Sequence, residues 1–125
     1  MADVDPRALL READERTKRG DRRGAIEVLL RVASHHRAQG FTLKAIALYR
    51  QVLTLDGARE DVAIDLAEAY VSLGLAGEAV ATLERVAETA EGTTLLAVLG
   101  RIASLVPDHP AHERLRAMAA RPPYR

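Results

Sequence analysis

The chain has 125 residues, 48% of them hydrophobic and 29% charged, with a formal net charge of zero; such a chain suits one folded domain with a substantial core and is not a disordered polymer. It contains no cysteine, which excludes disulfides, thiolate zinc sites, haem attachment and thiol catalysis. Aromatic residues make up only 3%, so alanine and leucine must fill the core, and small side chains favour close packing of helix on helix.

All five prolines (Pro6, Pro107, Pro110, Pro122 and Pro123) lie outside the interval 7–106. That interval shows helical periodicity punctuated by glycines and no period-2 alternation, which predicts an all-α fold of seven helices. The first spans 6–19, with Asp5 as N-cap and Pro6 at the first helical position, where its missing N–H costs nothing. Gly20-Asp21 ends it. The second spans 22–39, with Ile26, Leu29, Leu30, Val32 and Ala33 on one stripe, and stops at Gly40. The third spans 41–54, with Leu43, Ile46, Ala47, Tyr49, Val52 and Leu53 expected inside, before an Asp56-Gly57 turn. The fourth spans 60–73 on Val62, Ile64, Leu66, Ala67, Tyr70 and Leu73, and Gly74 ends it. The fifth spans 76–89 on Ala79, Val80, Leu83, Val86 and Ala87. The sixth spans 93–106 and stops before Pro107; the seventh spans 109–120. Connections of two to five residues make consecutive helices antiparallel neighbours.

The longest apolar runs, such as Leu95 to Leu99, fall far short of the ~20 residues that cross a bilayer. Residues 1–7 carry Asp3, Asp5 and Pro6 and no apolar run of the kind a secretory signal needs. A cytoplasmic protein is the simplest expectation. An excess of arginine over lysine, 16 to 2, suggests a GC-rich bacterial genome, and the Met1 start suggests a whole protein. Charge is unevenly spread: residues 1–59 hold 12 Lys/Arg against 8 Asp/Glu, and residues 60–125 hold 6 against 10. Such polarity can steer an encounter with a charged partner.

Aligning the glycine turns exposes a repeat. Val32-Ala33, His36, Gly40, Ala45, Tyr49 and Val52 match Leu66-Ala67, Tyr70, Gly74, Ala79, Leu83 and Val86, each pair 34 residues apart. On these residues the segment from Gly20 to Val86 resembles a tetratricopeptide repeat protein of the short bacterial type. The resemblance implies an antiparallel helix-pair solenoid wound as a right-handed superhelix, a single domain over 1–121. Overlapping repeats would occupy 6–57, the best-formed repeat 60–91, a divergent repeat or cap 93–120, and a frayed tail 122–125. Two departures stand out. Gly20 and Gly40 are 20 residues apart rather than 34, as are Ala25 and Ala45, so the second helix serves two units. The last unit fits poorly, with Ser104 at the aromatic position and Glu113 at the small one.

The resemblance further implies a concave groove lined by the first helix of each pair. Its residues here would be Glu27, Leu30, Ser34 and Arg37; then Asp61, Ile64, Glu68 and Val71; then Leu95, Val98, Ile102 and Leu105. The groove would grade from mixed-polar through acidic to apolar and would take a peptide or helix of a partner protein with basic and apolar residues. Asp61, Asp65 and Glu68 follow i, i+4, i+7 spacing and share one face. The function expected is therefore a protein-interaction module, an adaptor or scaffold. The alternative is self-association through apolar ends of the stack. A third reading, nucleic-acid binding through Arg16, Lys18, Arg19, Arg22 and Arg23, has zero net charge and no interleaved aromatics against it.

Catalytic chemistry finds little support. His109 and His112 are three apart, but no thiol or carboxylate cluster completes a tetrahedral shell beyond Asp108 and Glu113. His36 occupies the position of Tyr70 and is expected to pack. No phosphate loop, nucleophile elbow or dinucleotide fingerprint occurs. No enzyme activity, cofactor or metal is expected, and no membrane insertion.

Overall fold

The computed structural model describes residues 4–89, 92–105 and 107. They form six helices: α1 (Pro6–Lys18), α2 (Arg22–Ala38), α3 (Thr42–Leu55), α4 (Glu60–Ser72), α5 (Ala76–Thr89) and α6 (Gly92–Leu105). No strand occurs among the described residues, so the fold is all-α, and each helix begins and ends within one residue of its expected bounds. The expected seventh helix (109–120) and the tail (122–125) lie outside the described residues. The chain divides into two compact units, residues 1–57 and 58–125. In the first, α2 packs on both α1 and α3; in the second, α5 packs on α4 and α6, and α6 also touches α4.

The hairpins are made by one turn used three times. At α2–α3 the N–H of Gly40 donates to the carbonyl of Arg37 (3.0 Å) and that of Phe41 to His36 (2.8 Å); at α4–α5 the N–H of Gly74 donates to Val71 (2.9 Å) and that of Leu75 to Tyr70 (2.9 Å). Gly20 and Asp21 do the same to Thr17 (3.0 Å) and Arg16 (2.8 Å) after α1. This is the Schellman closure, which satisfies the last helical carbonyls and requires a left-handed residue at its centre. Gly40 and Gly74 have φ of 83° and 77°, a region that costs an L-residue with a Cβ roughly 1–2 kcal/mol. The α3–α4 connection is built otherwise. Asp56 is extended (φ −147°, ψ 93°), and its N–H closes α3 onto Val52.

Around each turn stand two buried alanines, one seven residues before the glycine and one five after. They are Ala13 and Ala25, Ala33 and Ala45, and Ala67 and Ala79, each at most 3% exposed. The small side chains bring the antiparallel helices together, and larger ones fill the space beside them: Leu29, Val32 and Val52 in the first unit, Val62 and Leu83 in the second. The double use of α2 is thus visible in its own side chains, since Ala25 belongs to one hairpin and Ala33 to the next. Tyr49 and Tyr70 are buried as well.

Three residues expected inside lie outside. Leu43 is 70% exposed, and Ala47, one turn further along α3, is exposed too. The buried stripe of α3 is instead Ala45, Ile46, Leu48, Tyr49 and Val52, which follows i, i+3, i+4, i+7 spacing and leaves 43 and 47 on the neighbouring face. Leu73 is also exposed, because it is the residue that caps α4 ahead of Gly74.

Candidate interaction surfaces

The long α2 presents one face to the core and another outward. On the outer face Glu27, Leu30 and Ser34 line a shallow depression of about 640 Å³ together with Val4, Arg31 and His35. Glu27, Arg31 and Ser34 are exposed and Leu30 is half-buried, so the surface offers one apolar patch ringed by a carboxylate, a guanidinium, an imidazole and a hydroxyl. Arg37 is half-buried and does not line the depression. Arg31 and His35 were not singled out by sequence reasoning, although their spacing from Glu27, at i+4 and i+8, places them on the same stripe.

On α4 the expected acidic face is present but largely compensated. Arg59 holds Asp61 with two parallel hydrogen bonds, Nε to Oδ1 at 2.9 Å and Nη2 to Oδ2 at 2.8 Å. Those bonds hold the Asp61 carboxyl below the usual aspartate range. Glu68 pairs with Arg101 of α6. Ile64, Asp65 and Val71 are half-buried beside them. At least two of the three carboxylates on this face hold arginines, and its acidity is muted relative to the expectation from sequence. The Glu68–Arg101 pair joins residues on two helices, and neither partner alone announces it in the sequence.

On α6, Val98 is fully buried; it belongs to the core of the second unit and has no surface to offer a partner. Leu105 is half-buried. The side chains of Leu95 and Ile102 lie outside the described residues.

The basic patch near the α1–α2 turn is divided. Arg16 donates to Glu12 (3.0 and 3.1 Å) and to Asp21 (2.8 Å), and Lys18 pairs with Asp14 at 3.1 Å. Gly24 makes room for this cluster, since a Cβ there would collide with Asp21 and Arg16. Arg19, Arg22 and Arg23 make no ion pair among the described residues. Two of the five cations in the patch are therefore neutralised locally, which weakens it as a phosphate-binding stripe. Among the described residues no group of three or more His, Cys, Asp or Glu could hold a metal ion, and no helix is long and apolar enough to cross a membrane. His109 and His112 lie outside the described residues.

No curated protein matches the chain. A family model of the tetratricopeptide repeat matches residues 36–102, from the last turn of α2 into α6, which is more than half of the 125 residues. Repeats of this kind generally mediate protein–protein interactions. With its 34-residue register, its glycine turns and its paired alanines all in place, the chain belongs to the tetratricopeptide repeat family.

Proposed function

We propose that the chain is an adaptor that binds a peptide or helix of a partner protein, with one candidate surface on the outer face of α2 in the first unit and a separate one on the carboxylate face of α4 in the second. The observation that carries this reading is the depression on α2, where Glu27, Leu30 and Ser34 meet around one apolar centre. A single partner side chain seated on Leu30 would bury apolar surface, while the charged ring fixes its register. On α4, the arginines that hold Asp61 and Glu68 stand where basic groups of a partner would stand. Exposed ion pairs of this kind contribute at most about 1 kcal/mol, so a partner's arginine or lysine can exchange for Arg59 or Arg101 at little cost. Asp65 adds a third carboxylate to that face, and the partner expected is basic and apolar.

A peptide-display selection on the whole chain tests this. The wild type should enrich peptides combining apolar and basic residues. Leu30→Glu should lose the apolar preference, and Asp61→Lys with Asp65→Lys and Glu68→Lys should lose the basic one. The reading fails if nothing enriches, or if all three proteins enrich the same peptides.

Self-association is the second reading. It has one observation behind it, the exposure of Leu73 and Leu75 (41% and 42%) on either side of the Gly74 turn. A monomer mass by light scattering at high concentration would remove it.

A further inference from the structure

The double use of α2 leaves a groove in the first unit that the repeat pattern alone does not foresee. The alanines flanking the Gly20 turn set one face of α2 against α1, and those flanking the Gly40 turn set another against α3. Ala25 and Ala33 are eight residues apart, which turns those faces roughly 80° from each other at 100° per residue. Two helices each about 9 Å from α2, in directions about 80° apart, stand roughly 12 Å from one another, wider than a packed pair. The space between them is a cavity of about 520 Å³.

Its walls are apolar: Pro6 and Leu10 from α1, Ala47 and Leu48 from α3, with His36 of α2 also lining it. Leu10 is 37% exposed. The charged residues that line it are Arg7, Lys44 and Asp5. Asp5 is already occupied, since its carboxylate caps α1 by accepting from the N–H groups of Arg7 (3.1 Å) and Ala8 (3.4 Å). Arg7 and Lys44 make no ion pair among the described residues. Lys44 lies 4.8 Å from the centre of the Phe41 ring, and that ring, half-exposed, stands edge to face with His36 at a centroid distance of 6.2 Å. Both cations sit in the first turn of their helices, where neither helix has an acidic residue. A positive side chain there adds to the positive end of the helix dipole rather than offsetting it. The groove is therefore apolar inside and cationic at its rim.

We propose that this groove is a second docking site, taken by an acidic amphipathic helix of a partner protein, whose leucine-like residues fill the space over Leu10, Ala47 and Leu48 while its carboxylates meet Arg7 and Lys44. The site stands apart from the α2 depression and does not depend on it. The basic excess of residues 1–59 acts in the same sense, drawing an acidic segment towards this half of the chain.

The test is fluorescence anisotropy on the whole chain. The probe is a labelled 15-residue helical peptide with leucines at i, i+3, i+4 and i+7 and glutamates elsewhere, and its control carries glutamines for the glutamates. The acidic peptide should bind and the neutral one should bind far more weakly. Arg7→Glu with Lys44→Glu, checked for helix content by circular dichroism, should weaken the acidic peptide on the order of tenfold and leave the neutral peptide unchanged. Arg7→Gln with Lys44→Gln serves if the reversed variant does not fold, and should weaken the acidic peptide less. Leu30→Glu, in the α2 depression, should change nothing. The proposal is overturned if the acidic peptide does not bind the wild type, if the neutral peptide binds equally well, or if the charge reversal leaves the acidic peptide's affinity unchanged.

Discussion

The turn at Gly20 and the turns at Gly40 and Gly74 share a backbone and differ in what their side chains do. The Schellman closure normally brings an apolar pair together across the turn, the residue three before the cap and the second after it. At Gly74 that pair is Tyr70 and Leu75, and at Gly40 it is His36 and Phe41, whose rings meet edge to face. At Gly20 the same two places hold Arg16 and Asp21, which form an ion pair at 2.8 Å. The backbone hydrogen bonds are within 0.1 Å of one another at all three. The comparison teaches that the glycine and the flanking alanines set the hairpin, while the pair across the turn can be ionic, aromatic or aliphatic without changing its course.

If so, the largest effect should come from the alanines. Ala33→Leu and Ala67→Leu each push a large side chain between helices at sites with no exposed surface. Each should destabilise by about 3 kcal/mol, the upper end of ordinary overpacking. Urea denaturation followed by circular dichroism measures it; a cost below ~1 kcal/mol would mean that the helices separate easily and that close approach is not what the alanines secure.

Next come the glycines. Nothing lies within 4 Å of a Cβ built on Gly20, Gly40 or Gly74, so alanine at each position meets no clash and bears only the backbone cost, about 1–2 kcal/mol. The same denaturation series should give three similar values. A Gly20→Ala much milder than the other two would show that the ionic turn relies less on its left-handed residue.

The smallest effects separate the turns by pH. Burial, with Lys44 and His35 nearby, holds the His36 imidazole below its ordinary value of 6.5. The native state then binds fewer protons than the unfolded chain, so this contribution is lost as pH falls from 6.5 through the folded value. The N–H of Gly24 first, and the Arg16 guanidinium second, hold the Asp21 carboxyl below 3.8. Its contribution is present above 3.8 and is lost only as pH falls through the lower folded value. Thermal melts between pH 7 and pH 3 should show His36→Tyr, which restores the residue of the later repeat, flattening the upper window. Asp21→Asn should flatten the lower one. If His36→Tyr leaves the slope between pH 6.5 and pH 5 unchanged, the His36–Phe41 turn is not the pH-sensitive one.

Much of this was legible in the residues. Gly40 and Gly74 marked the turns, Ala33, Ala45, Ala67 and Ala79 marked the helix crossings, and Asp5-Pro6 marked the start of α1, because each rests on a local requirement of the backbone. Ala13 carries the same signal at the first hairpin, visible once the 20-residue offset is applied to Ala33. What stayed hidden depends on contacts between elements. Arg101 is 33 residues from Glu68, and only the packing of α6 beside α4 pairs them, so the acidic face read from α4 alone was too acidic. Val98 shares a stripe with Leu95 and Ile102, yet it is the neighbouring helices that bury it. The groove between α1 and α3 follows from the angle between two faces of α2, which no window along the chain contains.

That angle also bears on how the first unit comes apart. Of the three helices, α2 alone is gripped on two sides, and α1 contributes a single buried residue, Ala13. The unit should therefore open from its edges, α1 peeling away while α2 and α3 hold together around Leu29, Val32 and Val52. A helix lying in the groove would touch both edges at once and splice them across the gap. Occupancy would then turn an open row of three helices into a closed ring of four, with no free edge from which to begin.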